Sequence, residues 1–187
     1  MRIIAGTARS LPLQTIEGMN TRPTTDKIKE TLFNMLQGDI SGAYFLDLFA
    51  GSGQIGLEAI SRGAAYSVFV ENSRKAAKCI ENNIHFTRFD DQCRLYRTDA
   101  LAALRSMEGS FQFDIIFMDP PYDMEFEKKV LTYLSDSSLL RDDTLIITEA
   151  SLQTDFSYAG SLGYQQLKYK KYRNNAHVFF TRRQEDA

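Results

Sequence analysis

The chain has 187 residues, enough for one compact domain with a small appendage and too few for a two-domain enzyme. Hydrophobic residues make up 43% and charged residues 25%, with 13 Phe, 9 Tyr and only 4 Pro, a composition that supplies a core and excludes a disordered chain. The net charge of -2 conceals basic ends and an acidic middle: residues 1–30 carry five Lys/Arg against three Asp/Glu, residues 31–150 eleven against eighteen, and residues 151–187 six against three, so a surface for polyanions would have to be local to the termini.

No apolar run reaches the roughly 18 to 20 residues of a membrane span, and Met1 to Ile4 leads straight into polar sequence, so a cytoplasmic protein is expected. Cys79 and Cys93 have no CxxC spacing and read as small core residues. With only His85 and His177 to add, no metal site is expected.

In chain order, Thr24 to Leu36 carries apolar residues at Ile28, Leu32, Phe33, Met35 and Leu36, the spacing of an amphipathic helix, with Gly38 as a stop. Tyr44 to Phe49 is an apolar run broken only by Asp47. It leads through the glycine-rich Ala50 to Gly56 into a helix over Leu57 to Arg62. The alternation continues with strand Tyr66 to Val70, helix Arg74 to Phe86, strand Arg94 to Arg97, helix Ala100 to Met107, strand Phe113 to Met118, helix Glu125 to Leu134 and strand Thr144 to Thr148. Short apolar strands between helices imply parallel strands buried on both faces. After residue 150 the pattern changes: Gln165 to Lys171 and Ala176 to Thr181 read as strands flanking the polar turn Arg173, Asn174, Asn175. The expected fold is α/β, a doubly wound, Rossmann-like and mostly parallel sheet closed by an antiparallel C-terminal hairpin. Residues 1–40 would form an N-terminal extension and residues 41–187 the main domain.

Gly51, Gly53 and Gly56 form G-x-G-x-x-G between a predicted strand and helix, where a backbone without side chains can approach a ligand at a helix N-terminus. Glu71, 20 residues after Gly51 at the end of the next strand, is placed to accept from both ribose hydroxyls of an adenosine. A dinucleotide and S-adenosylmethionine both use such a corner. Asp47 favours the second, because a carboxylate there can hold the methionyl ammonium but would repel a pyrophosphate. Asp99, just before Ala100, can accept from an adenine amino group and can equally cap the helix that follows.

Asp119-Pro120-Pro121-Tyr122 follows the strand ending at Met118, so it should lie beside the bound cofactor. Two prolines remove two donors and stiffen the turn, leaving the Asp119 carboxylate and the Pro120 carbonyl as acceptors suited to an amino group. An exocyclic base amine has its lone pair delocalised into the ring. Acceptors fixed on its hydrogens favour attack on a methyl carbon and stabilise the positive charge that grows on nitrogen. Tyr122 offers a ring on which an extruded base can stack.

Leu46-Asp47-Leu48-Phe49-Ala50-Gly51-Ser52-Gly53, Glu71, Asp99 and Asp119-Pro120-Pro121-Tyr122 together resemble the motifs of class I S-adenosylmethionine-dependent methyltransferases acting on amino groups. Met1-Arg2-Ile3-Ile4-Ala5-Gly6 and Thr21-Arg22-Pro23-Thr24, with Asp26, Lys29, Glu30, Phe33 and Asn34, resemble more narrowly the RsmD-type 16S rRNA (guanine-N2)-methyltransferase family. The resemblance implies methyl transfer from S-adenosylmethionine to the N2 amine of a guanine in 16S rRNA, free or in a small-subunit assembly intermediate. By the same resemblance Asp119, Pro120 and Tyr122 would be catalytic, and Asp47, Gly51, Gly53, Glu71, Asp99 and Ala100 would bind the donor. Where that family tends to have a basic step after its glycine, this chain reads Thr7-Ala8-Arg9-Ser10 with one positive charge. Arg9 and Arg22, which precede the first strand of the core, are the expected RNA contacts, in preference to the hairpin lysines. An adenine-N6 methyltransferase on DNA or RNA is the alternative, since Asp-Pro-Pro-Tyr alone does not separate the two amines.

Overall fold

The structure is a computed structural model and describes residues 1–16, 25–122 and 124–184. Seven strands form one sheet: β1 (Tyr44–Leu48), β2 (Tyr66–Val70), β3 (Cys93–Tyr96), β4 (Phe113–Met118), β5 (Leu140–Ser151), β6 (Tyr164–Lys171) and β7 (Asn175–Arg182). Their order is β3-β2-β1-β4-β5-β7-β6. The first five are parallel and β7 lies antiparallel between β5 and β6. This is the expected mostly parallel Rossmann-like sheet with its antiparallel closing pair. The chain leaves β1 in one direction for β2 and β3 and returns to its other side for β4, so the order reverses beside β1. That reversal opens a crevice at the carboxyl ends of β1 and β4.

Helices cover both faces. Leu32 and Phe33 of α1 (Asp26–Met35), Ile55 and Ile60 of α2 (Gln54–Ser61) and Ile80 and Ile84 of α3 (Arg74–Thr87) pack with Phe45, Phe69 and Phe117 on one side. Ala103 and Leu104 of α4 (Ala100–Met107) and Val130, Leu131 and Leu134 of α5 (Phe126–Ser135) pack with Leu46, Val68 and Ile116 on the other. All eight residues of α2 are buried, because the N-terminal arm covers its outer side. The arm is an antiparallel loop joined by an Arg2–Pro12 bridge, and its Ile3, Ala8 and Leu13 enter the same core as α1 and α2.

Element boundaries depart from the sequence reading where backbone partners override side-chain pattern. The first helix spans Asp26–Met35 because the Thr25 hydroxyl, 3.3 Å from the Ile28 amide, caps it. The helix expected from Leu57 starts at Gln54, directly after Gly53, whose left-handed φ of 80° ends the turn. β5 runs from Leu140 rather than Thr144. A register shift between Phe113 and Ile115 lets its polar start pair with β4, and its end continues through Glu149 because β7 pairs there.

Gly56 fixes the distance between α2 and the sheet. A Cβ built on it would lie 2.3 Å from Phe69 Cε1 and 2.7 Å from Ser67 Oγ, both on β2. Gly56→Ala should therefore destabilise the chain by about 1–3 kcal/mol through overpacking, seen as a fall in Tm of about 2–4 °C per kcal/mol. Phe69→Leu in the same chain should recover part of it. Thermal unfolding by circular dichroism is the check, and a Tm equal to the parent's would show that the contact is not limiting.

Candidate active site

A cavity of about 950 Å³ opens at the carboxyl ends of the parallel strands. Asp47, Gly51, Glu71, Asp99, Ala100, Asp119, Pro120 and Tyr122 all line it, so residues 75 positions apart in the chain share one space. Gly53 does not line it; a Cβ built on Gly53 would lie 3.3 Å from Ile80 and Phe69. Arg9 is exposed on the N-terminal arm beside Ala8, whose amide donates to Ser61 Oγ at the end of α2 remote from the glycine turn; Arg9 does not line the cavity. Arg22 lies outside the described residues.

The glycine turn is held by carboxylates. Glu71 Oε2 accepts from the Gly51 amide at 2.8 Å and Oε1 from the Ser73 amide at 2.8 Å, so the acid after β2 is clamped between the two loops that edge the cavity. Asp47, 2% exposed, accepts from the Gly56 amide at 2.9 Å. Burial pushes the Asp47 carboxyl up to about 8, with the charge of Glu71 adding to the rise and the Gly56 amide opposing it. Asp99 caps α4, its Oδ1 3.0 Å from the Ala102 amide, while remaining exposed on the cavity rim.

Phe49, the last residue of the expected first strand, adopts φ 66° and leaves the ladder. A bulky side chain in this left-handed region is strained, which is a feature that collects at functional sites. The strain turns its ring onto Phe126 at 5.6 Å, and the two rings line the cavity.

Asp119 is half-buried at the end of β4. Burial, then the negative charges of Glu149 and Asp47, hold its carboxyl well above the usual carboxylate range. Pro120 is buried beside it, and Tyr122 stands exposed at the mouth. The turn between β6 and β7 also reaches this mouth. Tyr172, Arg173, Asn174 and Asn175 line the same cavity, although β6 itself is the edge strand of the sheet. The sequence places this hairpin at the far edge and its cations away from the site; the crossing of β7 over to β5 brings the turn back.

Residues 1–181 match the family described as Conserved hypothetical protein 95. The Ribosomal RNA small subunit methyltransferase D of Escherichia coli (strain K12) is 35% identical over 153 residues, covering 82% of this chain and 76% of the relative. That of Haemophilus influenzae is 33% identical, covering 80% and 78%. Among solved structures, the Escherichia coli protein yhhF superposes with a TM-score of 0.86 at 31% identity, covering 98% of both chains. The chain belongs to the RsmD-type family of class I methyltransferases.

The sequence reading of this RsmD-type chain passed over four cavity residues. Glu149 falls one residue past an expected strand and Tyr172 between a hairpin arm and its turn, and only the β4–β5 and β5–β7 pairings bring them to the site. Phe49 gave no signal beyond hydrophobicity. Gln54 could have been found: a polar residue at the start of an apolar, fully buried helix needs a partner, and its Oε1 is buried without one among the described residues.

The Asp47 carboxyl carries a stability consequence. With its folded pKa near 8, above the unfolded value near 4, the native chain holds a proton that the unfolded chain releases across that window. The stability it contributes is complete below about pH 4 and is lost as pH rises through 8. Asp47→Asn keeps an acceptor for Gly56 and cannot ionise, so urea unfolding from pH 5 to 8 should show a flatter decline than in the parent. Parallel curves would remove the buried ionisation from the account.

Proposed function

We propose that this chain transfers the methyl group of S-adenosylmethionine to the exocyclic N2 amine of a guanine in 16S rRNA of the small ribosomal subunit. The observation that carries the reading is the convergence of Asp119-Pro120-Pro121-Tyr122 with the Glu71 and Asp47 carboxylates on one cavity. The relatives named Ribosomal RNA small subunit methyltransferase D support rRNA as the substrate.

The residues present fit the donor. Glu71, pre-set by two amides, lines the cavity and keeps lone pairs to accept from ribose hydroxyls. Asp99 and Ala100 edge the part of the cavity suited to an adenine. Asp47 and the unpartnered Gln54 Oε1 supply acceptors for an ammonium. When bound, S-adenosylmethionine supplies a methyl group on a sulfonium, which breaks its bond to sulfur as the bond to the base nitrogen forms. Asp119 and the Pro120 carbonyl hold the two amine hydrogens, localise the lone pair and stabilise the positive charge that develops until nitrogen sheds a proton. Tyr122, at the mouth, stacks on the extruded base. Arg9, which stands away from the cavity, and Arg22 contribute phosphate contacts. They should each flatten the dependence of log K on log salt by about 0.7 to 0.9 when replaced by Ala, and two parent-like slopes in rRNA binding would move the phosphate contacts elsewhere.

Labelled methyl transfer to rRNA, followed by mapping of the methylated nucleotide, tests the activity; label on adenine N6 would favour the alternative amine. Glu71→Ala should weaken S-adenosylmethionine binding in calorimetry by about 10- to 150-fold, the cost of losing hydrogen bonds to a charged acceptor. Asp119→Ala should lower single-turnover kcat by about 10² to 10³ with donor affinity little changed. Because Asp119 stabilises the developing positive charge best when ionised and its pKa is raised, methyl transfer should increase with pH along an acid limb above the usual carboxylate range. An acid limb at about pH 4, or a near-normal rate for Asp119→Ala, would remove Asp119 from the chemistry.

A further inference from the structure

We propose that Glu149 is the specificity-determining residue of the site, its carboxylate accepting the N1–H of the guanine whose N2 amine faces Asp119. The inference rests on the guanine-N2 reading above and names the group that selects that base.

Sheet register sets the arrangement. Met118 of β4 pairs with Thr148 of β5, so Asp119 and Glu149 come next at the same level on neighbouring strands, whose backbones lie about 4.8 Å apart. Glu149 in turn sits directly opposite His177 of β7. Asp119 and Glu149 both line the cavity, and they are close enough for the charge of one to act on the other.

Glu149 is only 6% exposed, and burying a carboxylate is costly without donors. Two are provided. Asn175 donates its side-chain amide to Oε1, and His177 Nε2 lies 3.1 Å from Oε2. The imidazole is held by the Tyr172 hydroxyl, 3.1 Å from Nδ1, and its ring meets Phe117 edge-on at 5.8 Å. These contacts fix the orientation of Glu149 but use only part of its capacity, since a carboxylate offers about four lone-pair positions. Glu149 lines the cavity beside an acceptor already matched to an amine, so a ligand there can use the remaining capacity.

Base chemistry decides what this pair can read. Guanine presents N1–H next to its N2 amine, a continuous edge of hydrogens that two adjacent carboxylates complement. Adenine flanks its N6 amine with lone pairs on N1 and N7, and an acceptor set against either of them repels. A site with one carboxylate at Asp119 would tolerate both amines; a second acceptor at Glu149 favours guanine. Glu149 as a mere tie between β5 and β7 would have no bearing on the base.

The test compares rRNA carrying guanine at the mapped target with the same RNA carrying 2-aminopurine, which keeps the C2 amine and lacks N1–H together with O6, so the Glu149 variant is what assigns the difference to N1–H. The parent chain should methylate guanine with a kcat/KM about 10- to 150-fold higher. Glu149→Gln keeps the shape and exchanges one acceptor oxygen for a donor, so it should reduce that ratio to near unity. A purely structural role would slow both substrates alike and leave the ratio unchanged, which would overturn the proposal. A parent chain that methylates 2-aminopurine as well as guanine would overturn it without any variant, whether or not Glu149→Gln folds. Failure of the underlying reading is visible separately, as label on adenine or on no base in the parent's reaction with unmodified rRNA.

Discussion

One buried carboxylate holds the walls of the cavity together. Glu58 of α2 is fully buried, accepting from the Ile4 amide at 2.8 Å and the Ala5 amide at 3.1 Å, and pairing with Arg62 at 2.7 Å and with the buried Lys29 of α1 at 3.6 Å. Lys29 Nζ also donates to the Arg2 carbonyl at 2.6 Å. Burial lowers the Lys29 pKa and the charge of Glu58 opposes the shift, so the pair keeps its charge by being kept together. Removing either partner would strand a buried charge, typically a loss of about 3–5 kcal/mol. The arm, α1 and α2 are therefore one unit, and each sends residues to the cavity: Met1 and Thr15, Thr25 and Ile28, and Gln54 and Ile55.

A second fastening repeats the device with a neutral side chain. Asn83 of α3, fully buried, accepts from the Gln14 amide at 2.8 Å and donates to the Ser52 carbonyl at 3.0 Å and the Gln14 carbonyl at 3.2 Å. It joins the end of the arm to the glycine turn. Every donor and acceptor used is backbone on one side and a buried side chain on the other, which makes the joint specific in position as well as stabilising.

Those polar groups are unusually acidic for a buried site. Asp119 feels the charges of Glu149 and Asp47, Asp47 feels that of Glu71, and burial and like charge push both aspartates toward the neutral form. That arrangement costs stability and is tolerated at functional sites, where a group of opposite charge restores the balance when it binds. A cationic donor and an amine that becomes positive during reaction are the chemistry such a cluster complements.

How much of this was legible in the chain differs by kind of residue. The alternating apolar runs fixed a parallel sheet, because strands buried on both faces must be apolar throughout. Asp47, Glu71, Asp99 and Asp119 were legible because each stands at the end of such a run, and the ends of parallel strands share one edge. Which strands neighbour each other is set by crossover paths, and no local pattern carries that. The parallel pairing of β4 with β5 therefore decided that Glu149 stands beside Asp119, and the antiparallel insertion of β7 beside β5 brought His177 and Tyr172 to Glu149. The same holds for Lys29 and Glu58, charged residues of two separate helices that are buried together because the arm closes over both. Sequence periodicity reports what one element needs from its surroundings; only the packed fold decides which element supplies it.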